Sequence, residues 1–493
     1  MNAQTVISAL VLCATVLGMT SVGHAATPER PNVLFIAIDD MNDWIGAFNG
    51  RAKTPNIDRL ASQGLLFTNA HCVVPACNPS RTALMTGQRP ETTKQFGNQG
   101  NFRDQPGGAD RVTLPQHFRA SGYEAVAAGK IFHYGRGGNE EPDPISDPQS
   151  WNAQRKGWIG TGGHDLYLDE NGWGKWHGGE FKEYLGKYGV WGPIPDKTEE
   201  THDWKSADYC AQYLKKSHDK PFFLACGIFR PHSPQLAPQK YFDMYPLEEI
   251  VLPEVPEDDF DDIPAIAHKN FSTDFFVDGV KAKGEWKKAV QGYLASMTFA
   301  DDCVGHLLKA LDDSEYKDNT IVVLWTDHGW QLGHKNRWEK FTLWRQSTHT
   351  PLMFKVPGVT KPGGVCERAV SFLDIYPTLS ALCGLPERPE LEGHSLVPLM
   401  EDPKRKWKYP AVISNSWGED YSVEYEQWNY IRYQDGSEEL YDHTNDIHEF
   451  RNLAGLAKYD DIKRQLAKWI PGSEAKPELQ TPESTRVRKR HAE

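Results

Sequence analysis

Beyond its first 26 residues, the sequence has no apolar run long enough to cross a membrane. Nor has it an excess of positive charge. With 54 Lys and Arg against 67 Asp and Glu, the net charge of −13 excludes a chain that holds nucleic acid by bulk charge. A polyanionic partner would need a locally basic pocket. Cysteine is scarce, eight in 493 residues, and none of the paired spacings typical of zinc sites occurs. Cys13 lies in the leading apolar run. Cys72, Cys210, Cys226, Cys303, Cys366 and Cys383 are scattered, and fit either buried thiols or a set that includes one or two disulfides. What is present is ordinary for a globular chain: 25% charged and 39% hydrophobic residues, over a length that can bury a large core.

Residues 1–26 join an apolar run, Val6 to Met19, to the small residues of Ser21-Val-Gly-His-Ala25-Ala26. They read as a secretory signal, although no Lys or Arg precedes the run. The expectation is an exported protein, periplasmic or secreted, with no stable membrane insertion.

The remaining cysteine, Cys77, heads the string Cys77-Asn-Pro79-Ser80-Arg81-Thr-Ala-Leu84-Met85-Thr86-Gly87. Proline suits the first turn of a helix, so Pro79 predicts a helix starting here, with Cys77 just ahead of it. Free N–H groups and the dipole favour an anion at that place, and Arg81 adds positive charge about one turn on. A Cys-x-Pro alone equally fits a buried structural cysteine.

Two apolar runs end in carboxylates. Asn32 to Asp39-Asp40 and Thr320 to Asp327-His328 both suit central parallel strands, whose carboxyl ends are where ligands bind. Adjacent acids repel unless a cation lies between them, though a solvated turn also fits either pair alone. Lys130 and His133, three apart in Gly129-Lys130-Ile-Phe-His133, can share a face after a further strand, Tyr123 to Ala127. A fourth strand, Pro221 to Phe229, ends in Arg230-Pro231-His232-Ser233-Pro234. Cations crowd Leu332-Gly-His334-Lys335-Asn-Arg337-Trp338-Glu339-Lys340, directly after Asp327-His328.

Taken together, these strings resemble the type I sulfatases of the alkaline-phosphatase-like superfamily, over nearly the whole mature chain. The subgroup most resembled is the iduronate-2-sulfatase-like one, with choline-sulfatase-like enzymes near it; Asp327-His328 fits the former, where many sulfatases carry Asp-Asn or Asp-Gln. The resemblance implies that a maturation enzyme oxidises Cys77 to formylglycine, an aldehyde. It implies a metal site of Asp39, Asp40, Cys77, Asp327 and His328, with Ca²⁺ the expected ion and Mg²⁺ an alternative. It implies catalytic roles for Cys77, Arg81, Lys130, His133, His232 and Lys340. Arg81, Lys130 and Lys340 would neutralise the sulfuryl oxygens, and His133 and His232 share a role in positioning or protonating the leaving oxygen. Substrate contacts fall to Lys130, His133, His232, His334 and Lys340; some relatives carry an acid where His334 stands. The implied substrate is a sulfated carbohydrate. The same scaffold also serves choline-sulfatase-like and phosphonate or phosphodiester hydrolases, and an unmodified Cys77 would leave a sulfoglycan-binding protein.

The implied fold is α/β: a large mixed, mainly parallel sheet flanked by helices over 27–400, and a smaller C-terminal α+β subdomain over 401–493. In the latter, Ala411 to Ser414, Trp428 to Tyr433 and Glu439 to Asp442 read as strands, and Leu456–Ile470 as a closing helix. Glu439 to Leu453 resembles the family's C-terminal segment. The Trp-rich stretch 135–204 reads as a lid or substrate wall, its Trp faces either stacking on sugars or anchoring the loop. The acidic connection Asp243 to Lys283 is expected at the surface. The helical spacing from Val290 to Leu311 marks a long core helix without assigned chemistry. The tail from Arg486 is basic.

Overall fold

The computed structural model of the chain describes residues 30–133, 146–154 and 191–472. The leader, Trp158, Trp173, Trp176 and the basic tail lie outside those residues. At the centre runs β1 (Asn32–Asp39), buried at every position. Val33, Phe35 and Ala37 face one core; Leu34, Ile36 and Ile38 face another. Both faces are covered, which is why the sequence is continuously apolar instead of alternating. One cover consists of α1 (Pro55–Gln63), helix His202–Leu214 and the long helix Trp286–Asp312. The other contains α2 (Cys77–Thr86) and the helices Leu114–Ala120 and Ile375–Leu382. Each fully buried large apolar side chain contributes about 1.5–3 kcal/mol, so these two cores hold the frame against which a polar site can be set.

The eight strands run in the order Gly364–Cys366, β2 (Leu65–Phe67), Leu352–Lys355, Thr320–Thr326, β1, Phe222–Pro231, Glu124–Ala128, Ala153–Gln154. Leu352–Lys355 is antiparallel to both its neighbours, and the other pairs are parallel. The expected mixed, mainly parallel sheet is therefore present. A four-stranded antiparallel sheet follows: Ala411–Ser414, Tyr421–Tyr425, Trp428–Arg432 and Glu438–Asp442. Its second strand was not expected, because Ser422 and Glu424 are buried polar residues that break the apolar alternation. Helix Asp460–Ala467 packs on this sheet through Leu466, beside Val412, Val423, Tyr430 and Leu440. Ala411, Ile413 and Ile431 join the large core instead.

Two expectations are corrected and one open question is answered. The connection Asp243–Lys283 is not simply surface: Asp259, Ile263, Ala267, Phe271, Phe276 and Val280 are buried, and Phe271 packs on Trp344 and Phe276 on Trp338. Cys77 is the first residue of α2, capped by Ala76, and does not precede the helix. The open question of disulfides closes: Cys72, Cys77, Cys210, Cys226, Cys303, Cys366 and Cys383 are all free and buried. Of the Trp residues in the described part of the lid stretch, Trp151 packs on Phe132 and Phe223, Trp191 on Trp338, and Trp204 stacks on His306. Anchoring, the second of the two readings, accounts for these three.

Candidate active site

Four neighbouring strands, Thr320–Thr326, β1, Phe222–Pro231 and Glu124–Ala128, are mutually parallel and end on one edge. Each runs directly into predicted site residues: Asp327-His328, Asp39-Asp40, His232 and Lys130. The pairing of β1 with Phe222–Pro231 slips after Ile38, so that Asp39 stands opposite Pro231. The strands splay where ligands bind in such sheets. Over this opening β3 (Ala70–His71) and the following loop deliver α2, with Cys77 at its first turn.

Arg81 lies beneath the opening with no exposed surface. Its Nε donates to Asp327 Oδ2 at 2.9 Å and its Nη2 to Asp39 Oδ1 at 3.0 Å. Its Nη1 donates to the carbonyls of Lys130 and Ile131 at 2.7 and 2.9 Å. The planar fork thus ties two strand-end carboxylates to the turn that carries Lys130. Four of its five N–H donors go to protein carboxylates and carbonyls.

Cys77 faces the opening. Its Sγ is 3.0 Å from Lys340 Nζ, 3.3 Å from His328 Nε2 and 3.7 Å from Asp40 Oδ1. Lys340 also donates to Asp40 Oδ1 at 2.7 Å, and Lys130 Nζ to Asp39 Oδ2 at 2.5 Å. His328 Nδ1 donates to the Gly329 carbonyl at 2.9 Å, which fixes the tautomer and leaves the Nε2 lone pair facing the cluster. That nitrogen lies 3.2 Å from Asp40 Oδ1 and 3.6 Å from Asp327 Oδ2. His232 repeats the device: Nδ1 donates to the Ser233 carbonyl at 2.6 Å, and Nε2 stands 3.7 Å from Asp40 Oδ2.

His133 and His334 sit differently. His133 is half-buried beside this cluster, and its pKa is pushed well down by burial and by the charges of Lys130, Arg81 and Lys340. His334 packs edge-on against Trp44 and parallel to His448, and the contacts described for it do not include the carboxylates.

The backbone around the carboxylates is held equally firmly. Asp40 adopts a left-handed conformation (φ 61°), and its amide donates to Asp327 Oδ1 at 3.0 Å. Ser80 Oγ donates to the Asp327 carbonyl at 2.6 Å. Gly129 has φ 73°, and a Cβ there would meet the Gly227 carbonyl oxygen at 1.9 Å. In the reverse direction, a Cβ on Gly227 would meet the Lys130 carbonyl oxygen at 2.2 Å. Only two glycines let the strands approach so that Lys130 turns in beneath the opening.

Three buried carboxylates in one cluster repel. Burial and Asp327 raise Asp39 to about 6, and burial raises Asp40; Asp327 is held well below the usual range against its burial, chiefly by Arg81. Asp40 Oδ2 has no hydrogen-bond partner among the described residues, and two imidazole lone pairs face Asp40. Converging acceptors of this kind fit a divalent cation, and they fall in two overlapping sets that share Asp40 and Cys77: one adds Asp327 and His328, the other Asp39 and His232.

Sequence reasoning missed Tyr293, Ser80, Gly227 and the buried pair Lys335–Asp259, whose Nζ and Oδ1 are 3.0 Å apart. The left-handed residues Lys335, Asn336, Glu339 and Phe341 crowd the loop that ends in Lys340, and the pair clamps it. A Tyr in a helix and a Lys in a cation-rich loop carry no local signal for such contacts.

A family model described as Sulfatase matches residues 31–385, and one described as N-sulphoglucosamine sulphohydrolase, C-terminal, matches residues 333–476. The chain is 37% identical over 464 residues to a sulfatase of Formosa agariphila, covering 91% of this chain and 87% of that one. It is 31% identical over 418 residues to the iduronate 2-sulfatase of Homo sapiens, covering 76% and 73%. Its fold resembles that of the phosphonate monoester hydrolase of Agrobacterium radiobacter, with TM-score 0.69, 22% identity and 89% and 94% coverage. It also resembles a protein solved in complex with its substrate D-glucosamine-2-N,6-O-disulfate, with TM-score 0.68, 20% identity and 90% and 97% coverage. The Sulfatase match takes in both strand-end acid pairs and the whole of α2, so the chain belongs to the sulfatase family and is a sulfuric ester hydrolase.

Proposed function

We propose that this chain is an exported sulfatase that removes sulfate from a glycosaminoglycan-like or algal-type carbohydrate, using a formylglycine made from Cys77 and one divalent cation, Ca²⁺ in preference to Mg²⁺. The observation that carries the reading is the setting of Cys77. Its sulfur meets Lys340 and His328 within the carboxylate cluster, yet burial pushes its thiol well above the ordinary cysteine range. A thiol kept protonated is a poor nucleophile. Its attack on sulfur would also leave a thiosulfate-type adduct with no internal release. Formylglycine at this position supplies, as its hydrate, one hydroxyl to attack sulfur and a second whose deprotonation re-forms the aldehyde and frees sulfate. The cation, held by Asp39, Asp40, Asp327 and His328, supplies positive charge where negative charge develops.

The chain's own side chains do the rest. Lys340 and Lys130, each paired with a carboxylate from below, present positive charge to the anionic oxygens. Arg81 positions Asp39 and Asp327 without touching substrate. His232, with its Nδ1 proton committed to Ser233, and the nearby His133 share the handling of the proton on the leaving oxygen. His334 belongs to the wall of the substrate pocket. The carbohydrate assignment is supported by the iduronate 2-sulfatases of Mus musculus and Homo sapiens and by an ulvan-active sulfatase of Formosa agariphila at 28% identity.

The first measurement is the mass of the Cys77 peptide from protein made together with a maturation enzyme. A thiol replaced by an aldehyde is expected. Sulfate release is then compared over defined sulfated oligosaccharides, choline sulfate and a phosphonate monoester, with Cys77→Ala as control. An unmodified thiol despite active maturase overturns the formylglycine reading; preference for either small ester overturns the carbohydrate one.

A further inference from the structure

Of the aromatic side chains among the described residues, Trp417 alone is fully at the surface, at 40% exposure. A single exposed apolar residue needs no explanation by itself. Trp417 differs in where it stands and in how firmly its loop is held.

Trp417 lies on loop 415–420, between the first two strands of the C-terminal sheet. Strand Ala411–Ser414 ends beside the segment that leads into Cys77, where the Ser414 amide donates to the Val73 carbonyl at 3.0 Å. Gly418 lies under the ring of half-buried Phe96, and a Cβ there would meet Phe96 Cε1 at 2.3 Å. Two residues beyond Phe96, Asn98 Oδ1 accepts the Asn78 amide at 3.0 Å. Asn78 returns two bonds through its Nδ2, to the carbonyls of Asn98 and Gly100 at 3.3 and 3.0 Å. Asn78 is the residue after Cys77, so loops 95–100 and 415–420 together wall the Cys77 end of α2.

Loop 415–420 is fixed from within. Asn415, which has no exposed surface, accepts the amides of Trp417, Gly418 and Glu419 on Oδ1 at 3.3, 2.7 and 3.1 Å. Its Nδ2 donates to Asp420 Oδ2 at 2.6 Å, and its amide to the Asp420 carbonyl at 3.0 Å. Asp420, equally buried, also accepts the Gln434 amide at 2.9 Å and Asn270 Nδ2 at 3.2 Å. Tyr421 Oη donates to the Gly418 carbonyl at 3.0 Å. An aromatic face held this way binds without first having to be ordered, so little of its contact energy is lost.

We propose that Trp417, with Phe96 beside it, is a stacking platform for the sugar ring next to the one whose sulfate meets Cys77. This role rests on the carbohydrate reading above and extends it from one sulfated ring to an oligosaccharide. A pyranose presents a face of C–H bonds that packs on an indole, while its hydroxyls stay in water at the rim. Choline sulfate and phosphonate monoesters have no second ring to place there. Trp151, Trp191 and Trp204 are taken up in anchoring their own segments, and the contact with sugar is assigned instead to Trp417.

The test measures sulfate release from sulfated disaccharides of heparin and of ulvan, each beside the sulfated monosaccharide of its own cleaved end. Trp417→Ala is expected to lower kcat/KM for the preferred disaccharide roughly 3–10-fold, through KM, and for the monosaccharide by less than about twofold. Trp417→Phe, which keeps an aromatic face, should recover most of the loss. Equal losses on both probes, or none on the disaccharide, overturn the platform and leave the carbohydrate reading standing. A parent that cleaves no saccharide, or favours choline sulfate over all of them, overturns both. Where Cys77 remains a thiol, Kd from calorimetric titration with the same probes decides by the same ratios.

Discussion

Tyr293 Oη donates to the Asp40 carbonyl at 2.7 Å and accepts the Asn42 amide at 2.9 Å. With the Met41 amide bonded to Thr326 Oγ1 at 3.1 Å, these contacts hold the left-handed turn that aims the Asp40 carboxylate at Cys77. The long helix is therefore more than core, because one of its side chains shapes the Asp40 turn.

Tyr293→Phe keeps the ring stacked on Trp330 and removes both bonds. At about 1 kcal/mol per bond, divalent-cation affinity is expected to fall roughly tenfold or more, with the fold retained. Calorimetric titration of the stripped protein measures it, and unchanged affinity refutes the positioning role.

Arg81→Lys keeps a charge but cannot bridge Asp39 and Asp327 while donating to two carbonyls. Metal affinity and kcat/KM should each drop roughly 10–100-fold, as when other partners that orient metal ligands are removed. If Arg81 instead acted directly on substrate, metal affinity would be untouched and only turnover would fall.

Gly129→Ala places a methyl against the Gly227 carbonyl at a φ of 73°. The combined backbone and packing cost is roughly 2–4 kcal/mol. A lower urea midpoint and displacement of Lys130 from Asp39 should follow; a midpoint equal to the parent's would show that the strands can part freely.

His334 gives the pH dependence a definite sign. Burial, then the neighbouring His448, lowers its pKa from 6.5 to about 3. Between those values the unfolded chain binds a proton that the folded chain refuses. Stability contributed by neutral His334 is thus complete above about pH 6.5 and declines as pH falls toward 3, by up to about 1.4 kcal/mol per unit. His334→Gln should flatten that slope in urea titrations at pH 5 to 7, and an unchanged slope would place its origin in other histidines.

The strand-end acids were legible because a buried parallel strand must be apolar throughout, and a carboxylate at its end stands out. Pro79 and Arg81 were legible as the first turn of a helix, although Cys77, expected just ahead of it, is its first residue. Strand Tyr421–Tyr425 was not, since its inward Ser422 and Glu424 look like an outward face. Nor was the burial within Asp243–Lys283, where acidic composition hid short apolar turns.

By itself the sequence determined the central strands of the large sheet, the acids at their ends and the family. Those follow from periodicity, local turn chemistry and contiguous motifs, all short-range properties of a chain. Only the tertiary structure decided that Arg81 lies beneath the carboxylates, that Tyr293 shapes the Asp40 turn, and that His71 meets Glu424 across 353 residues. Such contacts depend on how distant elements pack. A buried polar group shows what it needs only when every neighbour is in place.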